Sequence, residues 1–88
     1  MSWTSRLSKK AQKQFDHLSL DLQKRLGAAI TAMEEHPFGG DVTPLKAKKW
    51  RGSFRKRVGR YRIIFRLHQE AKIIDIAIIE LRTEKTYR

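Results

Sequence analysis

Between Lys72 and Leu81 the chain carries Ile73, Ile74, Ile76, Ala77, Ile78 and Ile79, a nearly unbroken β-branched run. Side chains branched at Cβ are stiff and pack best on a pleated surface. The run therefore predicts a central strand buried on both faces, which must have neighbours beside it and a layer packed over it. The rest of an 88-residue chain has to supply both.

Further strands are within reach. Phe54 to Val58 and Tyr61 to His68 alternate in character and are separated by Gly59-Arg60, a tight turn. Gln69-Glu70 turns the chain into the isoleucine run. Lys46 to Arg51 reads as a short edge strand before a Gly52-Ser53 turn, and Trp3, Ser5 and Leu7 alternate with Thr4 and Arg6 as a first strand. Two helices lie between. Ser8 offers an N-cap to a helix with Ala11, Phe15 and Leu18 on one stripe, and Ser19 to a second with Leu22, Leu26, Ala29, Ile30 and Met33. Glu35-His36-Pro37 ends the second helix, since the residue before proline disfavours helix. Phe38 to Leu45, with Gly39-Gly40 and Thr43-Pro44, reads as a loop. This order predicts an α+β fold forming a single domain over residues 1–88. An N-terminal strand and an antiparallel helix hairpin pack on one face of a small, mostly antiparallel sheet of four or five strands. The other face stays partly open.

No cysteine is present, so no disulfide staples this small core. Apolar stretches fall far short of the roughly 20 residues of a membrane-spanning helix. Met1-Ser2-Trp3 shows none of the charged head, apolar middle and cleavage site of an export signal. The expectation is a soluble, cytoplasmic protein without a membrane partner. Charge narrows the partners further: 20 Lys and Arg against 9 Asp and Glu leave +11, which favours a polyanion. Half of those cations, Lys46, Lys48, Lys49, Arg51, Arg55, Lys56, Arg57, Arg60, Arg62 and Arg66, fall in one stretch without a carboxylate.

Side chains alternate across a strand, so Arg55 and Arg57 share one face while Phe54, Lys56 and Val58 share the other. On the next strand Tyr61, Ile63, Phe65 and Leu67 face one way, and Arg62, Ile64, Arg66 and His68 the opposite way. Pairing through the turn brings guanidinium groups of both strands onto one open patch. Directly opposed like charges repel, at a cost of up to about 1 kcal/mol per pair. A phosphate chain removes that cost and releases its own counterions, and planar arginine grips phosphate oxygens two at a time. Solubilising surface charge accounts for Lys9, Lys10, Lys13 and Lys24 on the helices, but not for the carboxylate-free stretch. Nucleic acid is the expected ligand, with Lys46, Lys48, Lys49, Arg51, Arg60 and Arg66 as RNA contacts. Trp50, amid these cations, suits base stacking and core or interface anchoring equally.

Two segments resemble the RelE/ParE superfamily, the small basic toxins of bacterial toxin–antitoxin pairs. Phe54-Arg55-Lys56-Arg57-Val58-Gly59-Arg60-Tyr61-Arg62-Ile63-Ile64-Phe65 is similar to its central yR-x-R-x-G-x-Y-R-v-x-Y pattern. Leu81-Arg82-Thr83-Glu84-Lys85-Thr86-Tyr87 is similar to its h-R-x-x-x-v-Y ending, and Leu45 stands where the superfamily usually has leucine. The similarity spans nearly the whole chain and implies a cognate antitoxin as partner. RelE-like members cleave messenger RNA, commonly in the ribosomal A site, whereas ParE-like members poison DNA gyrase and generally lack the cleaving residues. Resemblance to the RelE branch implies catalytic roles for Arg55, Arg57, Arg62, Arg82 and Tyr87, with arginines here at positions where the type member uses lysines.

Cleavage of RNA by its own 2′-hydroxyl needs a base, charge stabilisation at phosphorus and an acid for the leaving oxygen. Arg55, Arg57 and Arg62 are permanent donors suited to the second task. Free tyrosine has a pKa of about 10, and surrounding cations favour tyrosinate. That assigns the base to Tyr87 and leaves Arg82 to support the leaving group or the phosphate. No metal or small-molecule cofactor is expected: His17, His36 and His68 are isolated, and Glu34-Glu35 point to different helix faces. Ser8, Ser19 and Ser53 sit at cap and turn positions. The expected function is a metal-independent endoribonuclease, an mRNA interferase that inhibits translation. The alternatives are a gyrase-blocking binder without nuclease chemistry and a catalytically degenerate module that binds nucleic acid or antitoxin.

Overall fold

In chain order the elements are β1 (Thr4–Leu7), α1 (Lys9–Asp16), α2 (Leu20–Glu35), β2 (Val42–Pro44), a 3-10 turn (Lys48–Trp50), β3 (Phe54–Val58), β4 (Tyr61–His68) and β5 (Ile73–Leu81). The computed structural model describes residues 3–81. Both predicted serine caps form: the Ser8 hydroxyl accepts from the Ala11 N–H at 3.0 Å, and that of Ser19 from the Leu22 N–H at 3.3 Å. Five strands make one sheet in the order β1-β5-β4-β3-β2. β1 runs parallel to β5, and every other pairing is antiparallel. Both helices lie on one face, where Ala11, Leu26, Ile30 and Met33 close over Ile63, Phe65, Ile74, Ile76 and Ile79. No helix among the described residues is long and apolar enough to cross a membrane.

Two local expectations are corrected. Lys46 to Arg51 is not an edge strand: Lys48–Trp50 coils into a 3-10 turn, with the Trp50 N–H on the Ala47 carbonyl and the Arg51 N–H on that of Lys48. The edge strand is Val42–Pro44, inside the expected loop, where a proline is tolerated because one side of an edge strand carries no ladder. The isoleucine run is an interior strand but not the middle one, and it is fully covered on one face only. Ile74, Ile76 and Ile79 are buried, while Ile73 and Ile78 on the open face are half-buried.

The ladder between β4 and β5 contains a bulge. Phe65 pairs with Ile76 but Ile64 pairs with Ile78, so Ala77 is the additional residue. Helix α1 holds this irregularity in place. The Ser8 hydroxyl donates to the Ala77 carbonyl at 2.7 Å, and the Ile79 N–H donates to Oε1 of Gln14 at 2.8 Å. Beyond the bulge the faces of β5 are exchanged relative to an unbroken ladder, which turns Ile79 into the core and Glu80 onto the open face.

Both outer strands are covered or blunted. Ser5 of β1 donates its N–H and its hydroxyl to Oε2 of Glu34, at 3.3 and 2.8 Å, and the Trp3 N–H meets the Glu34 carbonyl. In β2, Pro44 has no N–H and the N–H of Val42 is used on the Gly40 carbonyl. Lys56, on the helix side as its alternation predicts, is 9% exposed and donates to the Gly39 carbonyl at 2.6 Å.

Candidate functional site

The open face of the sheet is built from rows of register partners. One row is Arg57, Arg62 and Glu80, and the next is Arg55, Ile64 and Ile78. Alternation along β3 therefore brings Arg55 and Arg57 to the same side as Arg62, as the sequence predicts. Ile64 lies on this face yet is only 2% exposed, with Arg55 and Ile78 as its cross-strand neighbours. Arginine stems beside such a residue keep water from it while their heads remain accessible.

The arginines differ in how they are satisfied. Nε of Arg62 donates to Oε2 of Glu80 at 2.5 Å, and its Nη2 contacts the same oxygen. The Nε atoms of Arg55 and Arg57 are buried and, among the described residues, have no hydrogen-bond partner. A desolvated donor on a charged group without an acceptor costs about 1–3 kcal/mol, and an anion arriving at this face offers the missing acceptors.

Arg66 closes the patch at its other end. Its Nε donates to the hydroxyl of the buried Ser53 at 3.1 Å and its Nη2 to the Arg51 carbonyl at 2.8 Å. Both acceptors are neutral, so the guanidinium is oriented without its charge being cancelled. Asp75 pairs in register with Arg66 but bonds elsewhere. Its Oδ1 takes Nε of Arg6 at 2.6 Å, and its Oδ2 takes Nη2 of Arg6 at 3.2 Å and lies 2.5 Å from Nε2 of His68. The hydrogen bond from Arg6, reinforced by that of His68, holds the Asp75 carboxyl below the usual carboxylate range against the opposing effect of burial. The same contact raises the Arg6 guanidinium further.

The remaining expected contacts are dispersed. Lys46, Lys48, Lys49 and Arg51 are exposed on the segment leading into β3, and Nζ of Lys49 lies 5.6 Å from the Trp50 ring centroid. Trp50 is half-buried. Arg60, in the β3–β4 turn, lines a cavity of about 430 Å³ on the helix side with Leu22, Arg25, Leu26, Tyr61 and Leu81. It therefore stands apart from the open-face group. Arg82 and Tyr87 lie outside the described residues. Glu80, Asp75 and Ser53 were not expected at this face. Among the described residues, no three His, Asp or Glu side chains gather as a metal site would require.

What the face can do chemically is hold a chain of phosphates: donors from two strands converge, two of them unpartnered and one oriented by neutral oxygens. The model of one protein family, the ParE toxin of the type II toxin–antitoxin system parDE, matches residues 2–85. No curated protein sequence matches. Among solved structures, the chain is similar to RelE in the RelE–RelB complex of the archaeon Pyrococcus horikoshii, with 23% identity and a TM-score of 0.81 over 96% of this chain and 99% of that one. It is also similar to the YoeB/ParE toxin of Agrobacterium tumefaciens, with 13% identity and a TM-score of 0.77 over 91% and 99%. For the isolated RelE toxin of E. coli the values are 12% and 0.74 over 97% and 90%.

Proposed function

Because the chain belongs to the ParE toxin family of type II toxin–antitoxin systems, within the RelE/ParE superfamily, we propose that it is a metal-independent endoribonuclease that cleaves messenger RNA at the ribosome and is silenced by a cognate antitoxin. The observation that carries this reading is the pair of buried Nε–H groups of Arg55 and Arg57, unpartnered among the described residues, on the strand beside Arg62. Donors fixed before the ligand arrives stabilise charge as it develops, because they need not reorganise during the reaction. In this proposal the substrate 2′-oxygen forms the new bond to phosphorus and its proton passes to Tyr87 as tyrosinate. Arg55, Arg57 and Arg62 share the charge of the five-coordinate phosphorus. The bond to the 5′-oxygen breaks, leaving a 2′,3′-cyclic phosphate, and the departing oxygen, supported by Arg82, takes a proton from water to become a 5′-hydroxyl. Lys46, Lys48, Lys49, Arg51 and Arg66 extend the contact along the RNA.

The test is messenger cleavage by translating ribosomes with the native chain, Arg57→Ala and Tyr87→Phe. Removing a preorganised donor, as in Arg57→Ala, costs about 10²–10³ in rate, and removing a general base, as in Tyr87→Phe, about 10²–10⁴, so both variants should be nearly inactive. Cleavage at the native rate in both would overturn the assignment. The name of the matching family favours a second reading, inhibition of DNA gyrase without RNA chemistry. A supercoiling assay distinguishes the two, since only this second reading expects blocked gyrase alongside intact messenger.

A further inference from the structure

In an unbroken ladder continuing the pairing of Phe65 with Ile76, Arg62 would face Ile79. The extra residue at Ala77 makes it face Glu80 instead. Bulges re-aim side chains, and this one has brought a carboxylate to a cationic face. Both Nε and Nη2 of Arg62 meet a single Glu80 oxygen. That edge of the guanidinium presents two parallel N–H donors, a geometry arginine uses to grip phosphate.

We infer that Glu80 is a positioning residue that serves as an internal counter-anion: it occupies the phosphate-gripping edge of Arg62, so Arg62 joins the polyanion contact only when a ligand phosphate displaces the carboxylate. The inference rests on the polyanion reading above and is independent of whether the RNA is cut. Three observations support it. Among the described residues, Arg55 and Arg57 in the neighbouring strand have unpartnered Nε atoms and Arg66 bonds neutral oxygens, while Arg62 is ion-paired on this face. The side chains of Arg62 and Glu80 are 18% and 33% exposed, which leaves the pair within reach of an arriving anion. Finally, Ser8 and Gln14 bond the backbone around the bulge, so the placement of Glu80 is built into the packing of α1. Exchange of one anion for another at Arg62 adds no net charge contact. Native binding is then driven by the other cations, and Glu80 sets how many phosphates the face counts.

The test uses a short 2′-O-methyl oligouridine, which lacks the attacking hydroxyl and cannot be cleaved. Binding is measured between roughly 50 and 200 mM salt, where each added single-strand phosphate contact steepens the logarithmic salt slope by about 0.7. Glu80→Gln should bind roughly tenfold tighter near 50 mM salt, with a slope steeper by about one contact. Glu35→Gln removes the same charge from the exposed end of α2 and should leave the slope unchanged. In an Arg62→Ala background, Glu80→Gln should have no further effect on the slope, a readout that a merely structural role does not move. An unchanged slope in Glu80→Gln, weaker binding by that variant, or an equal gain from Glu35→Gln would each overturn the inference. If the native chain does not bind the oligomer at all, the polyanion reading falls and takes the inference with it. Binding that Arg57→Ala weakens and Glu80→Gln leaves untouched removes the inference alone.

Discussion

At the scale of single residues, the structure separates side chains whose role alternation reveals from those whose role depends on a distant partner. Asp75 is of the second kind, linking Arg6 of β1 and His68 of β4 through one carboxylate. Its carboxyl is more acidic folded than unfolded, chiefly through the Arg6 hydrogen bond. Stability from such a group is complete above about pH 3.9, the unfolded value, and is lost as pH falls through the folded value. Asp75→Asn should therefore unfold at lower urea than the parent at pH 7, and the two curves should converge in strong acid. A gap that persists there would show that the substitution acts through packing. Gly40 makes a second prediction. Its φ of 81° is left-handed, and a Cβ there would lie 2.9 Å from the Lys56 ammonium. Gly40→Ala should cost about 1–2 kcal/mol by chemical denaturation. Arg55, Arg57 and Arg62 were legible from strand parity, because each basic strand has an apolar side to bury. Glu80 was not, because the parity of its strand is masked.

At the scale of elements, that masking has an identifiable origin. Isoleucines occupy both parities of the run, at Ile73, Ile74, Ile76, Ile78 and Ile79. Either register therefore buries apolar side chains, and no sequence pattern marks the extra residue. What selects the register is α1, through Ser8 on the Ala77 carbonyl and Gln14 on the Ile79 N–H. Ser8 also caps its own helix. Ser8→Ala should thus cost more than an ordinary cap, about 1–3 kcal/mol when the lost carbonyl bond is included. Guanidinium unfolding checks this against Ser19→Ala, which removes the cap bond to the Leu22 N–H. The bounds of β3 and β4 were readable because Gly59 punctuates them, and its φ of 60° is the left-handed geometry a tight turn needs. β2 was hidden by the same logic in reverse, since Gly39-Gly40 and Pro44 usually signal a loop.

At the scale of the whole molecule, charge and topology act together. A net +11 gives general attraction to any polyanion, while the sheet concentrates its unpartnered donors on β3. Arg55→Ala and Arg57→Ala should each flatten the logarithmic salt dependence of oligonucleotide binding by about 0.7. Lys9→Ala, on the helix side, should leave it nearly unchanged. The finished borders of the sheet bear on a different matter. With Glu34 seated on the Ser5 amide and Pro44 interrupting the opposite margin, each flank of the described sheet presents a broken row of donors to another chain. Copies of the folded protein are thereby discouraged from joining margin to margin into fibrils, which leaves its broad face as the larger platform for a partner.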